Sequence, residues 1–359
     1  MSQENAATRR QFLGALGALP TFGASAQASA TPPAADSLDA AAGAALVSRA
    51  DRLEYVRLRK LDLTAPETVA RQQQMPAGRI KDLRLGRLIG GSNLIGTNMH
   101  ARDLKYVNAL SRNYNTEDRV LMTMKLSEEY GSNAIILKHT NFRQLRLSRY
   151  WDEWGGKMRW IADVITTDID RYEKLLAEHL ELGAAAAYLW GGASDIWYHQ
   201  GKQDNIIRAF EIMKAYDIPV GICAHRLEPI AFCVKQGLTP DFYMLTLHHD
   251  RYWSAHPKEK RRFSEMYEPD SPHHDEYHDN MFCHEHERTI EFMRDVPVPW
   301  IAFKVMAAGA IPAQEGIRFA FENGADFVCL GMFDWQVRED VELVKQAVAA
   351  TQNRPRRWF

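Results

Sequence analysis

The chain has 359 residues, 46% hydrophobic and 25% charged, a composition typical of a globular protein with one large core. Its formal net charge of −2 gives no electrostatic reason to expect binding to nucleic acid or to an acidic membrane surface. The four cysteines show no CxxC spacing, which argues against a structural zinc knuckle. We expect each of them to be a small buried apolar side chain unless two of them pair.

The amino terminus carries paired arginines at positions 9 and 10, an apolar run over residues 12–22, and small-residue cleavage sites ending at Ala26 and Ala30. This pattern resembles a twin-arginine export signal over residues 1–30. The resemblance implies recognition by the twin-arginine export machinery and a periplasmic or extracellular location. The alternative is a basic tail with no targeting role. The apolar run is too short for a permanent span, so we expect no membrane span in the mature protein.

Residues 31–50 are rich in Ala, Pro and Ser and predict a flexible linker, and residues 51–83 predict an N-terminal extension. In this extension Thr64 is the expected helix cap, with Pro66 in the first turn and Glu67 completing a capping box. The predicted helix runs to about Gln74.

From residue 84 to residue 350, short apolar strands alternate with segments of helical periodicity. The predicted strands span residues 85–89, 134–137, 158–165, 184–189, 219–224, 242–247, 300–306 and 326–330. Strands separated by helices pair in parallel, and eight such units predict an α/β fold, a closed (β/α)8 TIM barrel with a long loop after its sixth strand. An open doubly wound sheet is the alternative, but residues 90–96 match its Gly-rich turn only loosely.

In such a barrel, catalysis takes place where the strands end, so polar residues there become candidates. They are Asn93, His139, His225, His248, His249, Lys304 and Asp334. Strand alternation predicts that His225 points inward with the small residues Gly221 and Cys223. The same reasoning places Phe303 on the helix-facing side and Lys304 inside. A lysine inside a barrel is costly unless it takes part in chemistry or, as the alternative, in a structural salt bridge.

Eight of the thirteen histidines lie between positions 248 and 286, in a long polar connection that also contains aromatic residues. This segment predicts a lid or pocket wall over the catalytic face, with a solvated surface loop as the alternative. Aromatic and histidine side chains suit sugar rings and other small polar ligands. The predicted substrate-binding residues are Asn93, His139, Trp190 and Trp253.

A divalent metal is one hypothesis for this face. His225, His248 and Asp334 would supply ligands suited to zinc, manganese or iron. The set partly resembles that of the amidohydrolase superfamily, although residues 89–93 lack the His-x-His pair of that family's first strand. The alternative is acid–base chemistry, with Asp250 orienting the imidazole of His249.

Two further resemblances concern the barrel ends. The strand over residues 85–89 is similar to the opening strand of aldo-keto reductases, but their Asp, Tyr and Lys have no counterparts here. We therefore do not expect that activity or any nucleotide cofactor. Residues 307–312 and 323–331 resemble the last two units of phosphate-binding barrels, although the acidic Asp334 disfavours phosphate.

The whole chain resembles uncharacterised exported bacterial TIM-barrel proteins, a resemblance that supplies no activity. We predict an enzyme, a lyase, isomerase or hydrolase acting on a carbohydrate or related small polar carbonyl compound. His225, Lys304, His249 and Asp250 are the predicted catalytic residues. One alternative is a metal-free Schiff-base aldolase or lyase in which Lys304 attacks the carbonyl. Another is a sugar-binding barrel without catalysis.

Overall fold

Within the part of the chain that the structure describes, two helices and a β-hairpin precede the barrel. The structure is a computed structural model, and it describes residues 48–96, 99–102, 104–138, 147–261, 280–354 and 356–359. Helix α1 spans Arg49–Lys60 and α2 spans Pro66–Gln72. Strands β1 (Ala77–Ile80) and β2 (Leu83–Gly86) form the antiparallel hairpin. The predicted signal over residues 1–30 lies outside the described residues, and so do residues 31–47 of the predicted linker.

The caps of the first two helices differ from the sequence prediction. A capping box starts α1, because the Ser48 hydroxyl accepts from the Asp51 backbone N–H and the Asp51 carboxylate accepts from the Ser48 N–H. The first residues of α1 therefore lie inside the predicted linker. Thr64 does not cap α2; that position belongs to Ala65. Instead, the Thr64 hydroxyl donates to the carboxylate of Asp62 at 2.7 Å, which fixes the turn before the helix.

Eight parallel strands close the barrel, which confirms the predicted (β/α)8 TIM-barrel class. They are β3 (Leu88–Gly91), β4 (Ala134–Lys138), β5 (Arg159–Val164), β6 (Ala186–Leu189), β7 (Val220–Ala224), β8 (Phe242–Thr246), β9 (Trp300–Phe303) and β10 (Phe327–Leu330). Each pairs with the next along the chain, and β10 pairs with β3. Because all eight run the same way, their carboxyl ends meet at one mouth.

The first barrel strand is the main correction to the predicted elements. Residues 83–86 belong to the hairpin, and the barrel strand begins only at Leu88. Gly90 and Gly91 therefore lie in the strand and not in a loop. A Cβ on Gly91 would lie 3.1 Å from the backbone nitrogen of Gly331, so this glycine allows the close approach of the loop that follows β10.

The helices of the barrel follow the predicted alternation. After β3 come α3 (Ser92–Ile95), α4 (Lys105–Tyr114), α5 (Glu117–Glu129), α6 (Leu147–Trp154), α7 (Tyr172–Glu181), α8 (Gly191–His199), α9 (Asp204–Lys214), α10 (Leu227–Lys235), α11 (His286–Arg294), α12 (Ala313–Glu322) and α13 (Val337–Ala350). Single 3-10 turns cover Ile169–Arg171, Lys258–Lys260 and Ala307–Gly309. Across the described ranges, no helix combines the length and the apolar character that a bilayer span requires.

The core has two layers separated by the strands. Ile161, Phe242 and Ile301 pack inside the barrel, whereas Trp160 and Ala302 face the surrounding helices. This alternation is the period of two that a strand imposes on its side chains. The inner layer fills the barrel below the mouth.

A buried ion-pair cluster closes the opposite end of the barrel. Asp326, which is fully buried just before β10, pairs with Arg354 at 2.6 Å and with Arg356. Its carboxylate also accepts the backbone N–H of Trp300 at 2.9 Å. Arg356 donates in addition to the carbonyls of Met293 and Gly324, each at 3.0 Å. The C-terminal segment is thereby fixed to the amino-terminal ends of β9 and β10.

We predict that Asp326→Asn lowers the free energy of unfolding by about 3–5 kcal/mol, because two buried guanidinium groups lose their anionic partner. Urea unfolding at neutral pH measures the effect. Glu322→Gln is the matched control, since Glu322 pairs with Arg318 on the exposed face of α12 and its loss should cost less than about 1 kcal/mol. Equal effects of the two substitutions would contradict this prediction.

Candidate active site

A cavity of about 530 Å³ opens at the carboxyl ends of the strands. Its volume is within the range of small-molecule sites. Its lining includes polar and aromatic side chains from several strand ends and from the loops that follow them. They are Asn93, His100, Asp163, Tyr188, Trp190, His225, Phe282, Lys304, Phe333 and Gln336. The strand-end rule therefore selects the correct face of the barrel.

His225 follows β7 and is held by a buried carboxylate. Its Nδ1 lies 2.8 Å from Oδ2 of Asp195. The same carboxylate accepts the backbone N–H of His225 through Oδ2 (3.1 Å) and that of Arg226 through Oδ1 (3.3 Å). Asp195 lies on α8 and is fully buried. A carboxylate at Nδ1 keeps the proton on that nitrogen, which leaves Nε2 as the basic atom of the ring. The pair has the arrangement of a histidine general base with its orienting acid.

A glycine at the start of α8, Gly191, allows this pair to form. Gly191 lines the cavity directly after Trp190, and a Cβ on it would lie 2.9 Å from Sγ of Cys223 and 3.2 Å from Cε1 of His225. Any larger residue would push the helix away from β7. The first turn of α8 therefore approaches closely enough for Asp195, one turn later, to reach the imidazole.

Lys304 lies just past the end of β9 and reaches the cavity through an unusual backbone conformation. Its φ is +57°, the left-handed region that residues other than glycine seldom adopt. Phe303 faces the barrel interior, where its ring lies 5.3 Å from that of His225, so the predicted outward orientation of Phe303 is wrong. Strand alternation does not direct Lys304 inward. The left-handed turn after the strand does so.

The Lys304 ammonium has two defined neighbours. Its Nζ lies 2.6 Å from Nε2 of His100 and 3.6 Å from the centroid of the Phe282 ring. The rings of His100 and Phe282 meet edge to face at 4.9 Å. An aromatic face attracts a cation, and a neutral imidazole nitrogen accepts from an ammonium group. Both contacts stabilise the charged form of the lysine.

The floor of the cavity contains a tyrosine hydroxyl and two cysteine thiols, all of them weak acids. The Tyr188 hydroxyl is hydrogen-bonded to Asp163, and burial, reinforced by that carboxylate, raises the pKa of Tyr188 well above its usual value. Burial also raises the pKa of the Cys223 thiol, and it raises that of Cys329 to about 12. These three groups are therefore protonated at neutral pH. All four cysteines are free thiols, in agreement with the expectation of small apolar side chains.

His248 has a structural role, which corrects its predicted role as a metal ligand. The residue is fully buried. Its Nδ1 lies 2.8 Å from the carbonyl of His249, and its Nε2 accepts the backbone N–H groups of Phe282 (3.1 Å) and Cys283 (2.9 Å). Both ring nitrogens are thus occupied. His248 holds the segment that presents Phe282 to the cavity.

His249 and Asp250 do not form the predicted acid–base pair. The Nδ1 of His249 accepts the backbone N–H of Arg251 at 3.1 Å, and its Nε2 lies 2.9 Å from Glu315. Asp250 pairs instead with Arg261 at 2.8 Å. Neither His249 nor Asp250 lines the cavity.

Asp334 likewise belongs to the scaffold. Arg119 pairs with it at 2.6 Å and with Asp51 of α1 at 2.7 Å, so this cation joins the N-terminal extension to the loop after β10. The Tyr114 hydroxyl donates to Asp334 at 2.7 Å. Because Asp334 is buried and neutralised by Arg119, it is not available as a ligand, and its charge does not argue against an anion in the cavity.

The residues proposed to bind a metal therefore do not fit one. His225, His248 and Asp334 do not converge, and the described ranges contain no group of three or more His, Cys, Asp or Glu side chains placed to hold an ion. Of the predicted substrate-binding residues, Asn93 and Trp190 line the cavity. Trp253 is 84% exposed beside Arg102 and is not part of the lining. His139 lies outside the described residues.

Sequence reasoning missed His100, Asp163 and Asp195. Asp163 lies within the predicted third strand and could have been found by the same alternation argument, because it shares a face with the inward Ile161. Asp195 lies in a helix and His100 in a loop, and the pattern of the sequence does not tie either of them to its partner. The predicted wall after β8 is present in part, through Phe282, while residues 262–279 lie outside the described ranges.

Comparison with known proteins supports the fold alone. No family model and no curated protein matches the chain. Among solved structures, a Pseudomonas aeruginosa protein described as an aldo-keto reductase is 12% identical, with a TM-score of 0.50, over 76% of this chain and 94% of that one. A dihydrodipicolinate synthase is 10% identical with a TM-score of 0.40, over 66% and 71% of the two chains. A mutant (S)-mandelate dehydrogenase is 12% identical with a TM-score of 0.42, over 83% and 87%.

We predict that His248 contributes to the acid sensitivity of the fold. Burial lowers its pKa to about 3, whereas in the unfolded chain it titrates near 6.5. Between pH 3 and pH 6.5 only the unfolded chain binds a proton at His248. The contribution of His248 to the free energy of unfolding is therefore fully present above pH 6.5 and is lost as the pH falls toward 3. His248→Asn should flatten the slope of unfolding free energy against pH by up to about 1.4 kcal/mol per pH unit.

Urea unfolding between pH 4.5 and 7.5 measures that slope. The same substitution at the exposed His199 is the control and should leave the slope unchanged. A slope unaffected by His248→Asn would contradict the prediction.

Proposed function

We propose that the protein is an enzyme, an isomerase or lyase, that moves a proton beside the carbonyl group of a carbohydrate or related small polar carbonyl compound. The observation that carries this proposal is the His225–Asp195 pair in a cavity that also contains Lys304. A base and a cation in one enclosed site are the two groups that enolisation requires.

His225 is the proposed base. Asp195 keeps the proton on Nδ1, so Nε2 can take a proton from the carbon next to the carbonyl group. The imidazolium that results is stabilised by the buried carboxylate. Asp195 acts through His225 and is therefore a positioning residue.

Lys304 is the proposed electrostatic partner. When the C–H bond breaks, its electron pair forms a carbon–carbon double bond and the carbonyl π electrons move to oxygen. The ammonium of Lys304 stabilises this enolate oxygen, while His100 and Phe282 hold the ammonium in place. For an isomerase, the substrate carries a hydroxyl group on the carbon that lost its proton, and this hydroxyl proton passes to the enolate oxygen. The hydroxyl oxygen then becomes the new carbonyl oxygen, while the imidazolium of His225 gives its proton to the former carbonyl carbon. Loss of a leaving group from the β-carbon gives a lyase, in which the imidazolium protonates the departing oxygen.

The contacts of Lys304 favour this role over the Schiff-base alternative. A lysine attacks a carbonyl only as the neutral amine, and both the Phe282 ring and the His100 nitrogen stabilise the ammonium form. We route no step through a metal, because the residues proposed as its ligands do not converge. Hydrolysis has no separate support in this arrangement. Export through the twin-arginine pathway, to the periplasm or beyond, stays part of the proposal on the residues of the amino terminus alone.

The experiment is hydrogen exchange in D2O, which detects proton abstraction before the overall reaction is known. Aldoses, ketoses, sugar acids and their disaccharides are incubated with the protein, and loss of the C–H signal beside the carbonyl is followed by proton NMR. We expect exchange with at least one compound. His225→Gln and Asp195→Asn should each slow it by about 10² to 10⁴-fold.

Lys304→Met should slow the same exchange by about 10² to 10³-fold, with partial recovery in Lys304→Arg, which keeps the charge. His249→Gln is the control and should leave the rate unchanged, because His249 lies outside the cavity lining. Binding of a carbonyl compound without exchange would instead favour the sugar-binding barrel. Exchange that survives His225→Gln would refute the assigned base.

Borohydride separates the two roles of Lys304. The protein is treated with borohydride in the presence of any compound that exchanges, and the digested chain is examined by mass spectrometry. We expect no covalent adduct at Lys304, since the ammonium form cannot form an imine. A reduced adduct on Lys304 would establish the Schiff-base mechanism in place of ours.

A further inference from the structure

An aromatic surface continues from the cavity to its outer rim. Phe333 lines the cavity, and the ring of Trp335 stacks on it with an interplanar angle of 13° and a centroid distance of 5.9 Å. Trp335 is 62% exposed. A lone exposed aromatic residue needs no explanation, but this one extends the wall of a ligand-sized cavity into solvent.

Buried charges hold this surface in place. Tyr114 meets the Phe333 ring edge to face at 5.1 Å, and its hydroxyl donates to Asp334, which Arg119 neutralises. The loop itself is closed by Gln336, whose side-chain oxygen accepts the backbone N–H of Phe333 at 3.0 Å. The two rings are thus presented on a fixed loop, so little conformational entropy is lost when a ligand binds to them.

We propose that the exposed face of Trp335, backed by the stacked ring of Phe333, forms an outer subsite that binds a sugar ring, and that the ligand therefore contains at least two sugar units. The flat apolar face of a sugar, with its axial C–H groups, matches an aromatic ring, while its equatorial hydroxyls need polar partners at the edge. Gln336, which also lines the cavity, supplies amide N–H donors there because its oxygen is engaged with Phe333.

The cavity and the subsite then have different tasks. The sugar unit that carries the carbonyl group lies in the cavity beside His225 and Lys304, and the second sugar unit lies as a ring on the exposed face of Trp335. The choice of a carbohydrate rests on the proposed function. The subsite adds two statements to that function: the ligand has at least two sugar units, and Trp335 recognises the second one.

Binding of unlabelled saccharides to the full chain tests the proposal by isothermal titration calorimetry. The probes are glucose, xylose and N-acetylglucosamine with their β-1,4-linked series of two to four rings. For at least one series, we expect the affinity to rise about tenfold from one ring to two. Trp335→Ala should abolish that gain and leave the affinity of the single ring unchanged, while Trp335→Phe should keep most of it.

Trp253→Ala is the matched control, because Trp253 is a more exposed tryptophan that is not part of the cavity lining. It should bind every probe like the unmodified protein. Failure of all the probes to bind, absence of a gain with ring number, or a gain that survives Trp335→Ala would each overturn the subsite. His225→Gln should keep the gain, so that ring-dependent binding without exchange in D2O would remove the proposed reaction and leave the subsite standing.

Discussion

Closure of eight parallel strands is the constraint on which the rest of the molecule depends. The strands run in one direction, so residues far apart in the chain meet at a single mouth. Lys304 after β9 and Asp163 of β5 line one cavity for this reason, together with His225 after β7. The inner core below them fills the barrel, and the Asp326 cluster closes its other end. The fold therefore brings these side chains to one cavity at the mouth.

Charge is distributed differently in the scaffold and in the cavity. In the scaffold, Asp334 and Asp326 are paired with arginines, and each pair joins segments that are distant in the chain. Removal of one partner from such a buried pair is costly, because it leaves the other charge uncompensated. In the cavity, the Asp195 carboxylate holds an imidazole, and an aromatic ring and a second imidazole hold the ammonium of Lys304.

The sequence predicts the barrel well because the period of two and the strand–helix alternation are local signals. The same signals place His225 correctly, since Gly221, Cys223 and His225 share one face of β7. They fail at Phe303, which faces the interior. Lys304 lines the cavity as predicted, but for a different reason, because a left-handed residue after the strand breaks the alternation. They also fail at His248, because a histidine at a strand end looks the same whether its nitrogens accept backbone N–H groups or face a ligand. Asp195 could not be paired with His225, since helix packing brings them together.

The central claim is that the proton of His225 lies on Nδ1 beside Asp195, so that Nε2 faces the substrate as the base, and that Lys304 is an ammonium group. Neutron diffraction from a crystal grown in D2O near pD 8 locates these protons directly. The account predicts deuterium on Nδ1 of His225, none on its Nε2, and three deuterium atoms on Nζ of Lys304. Deuterium on Nε2 with a bare Nδ1, or only two deuterium atoms on the lysine nitrogen, would contradict it.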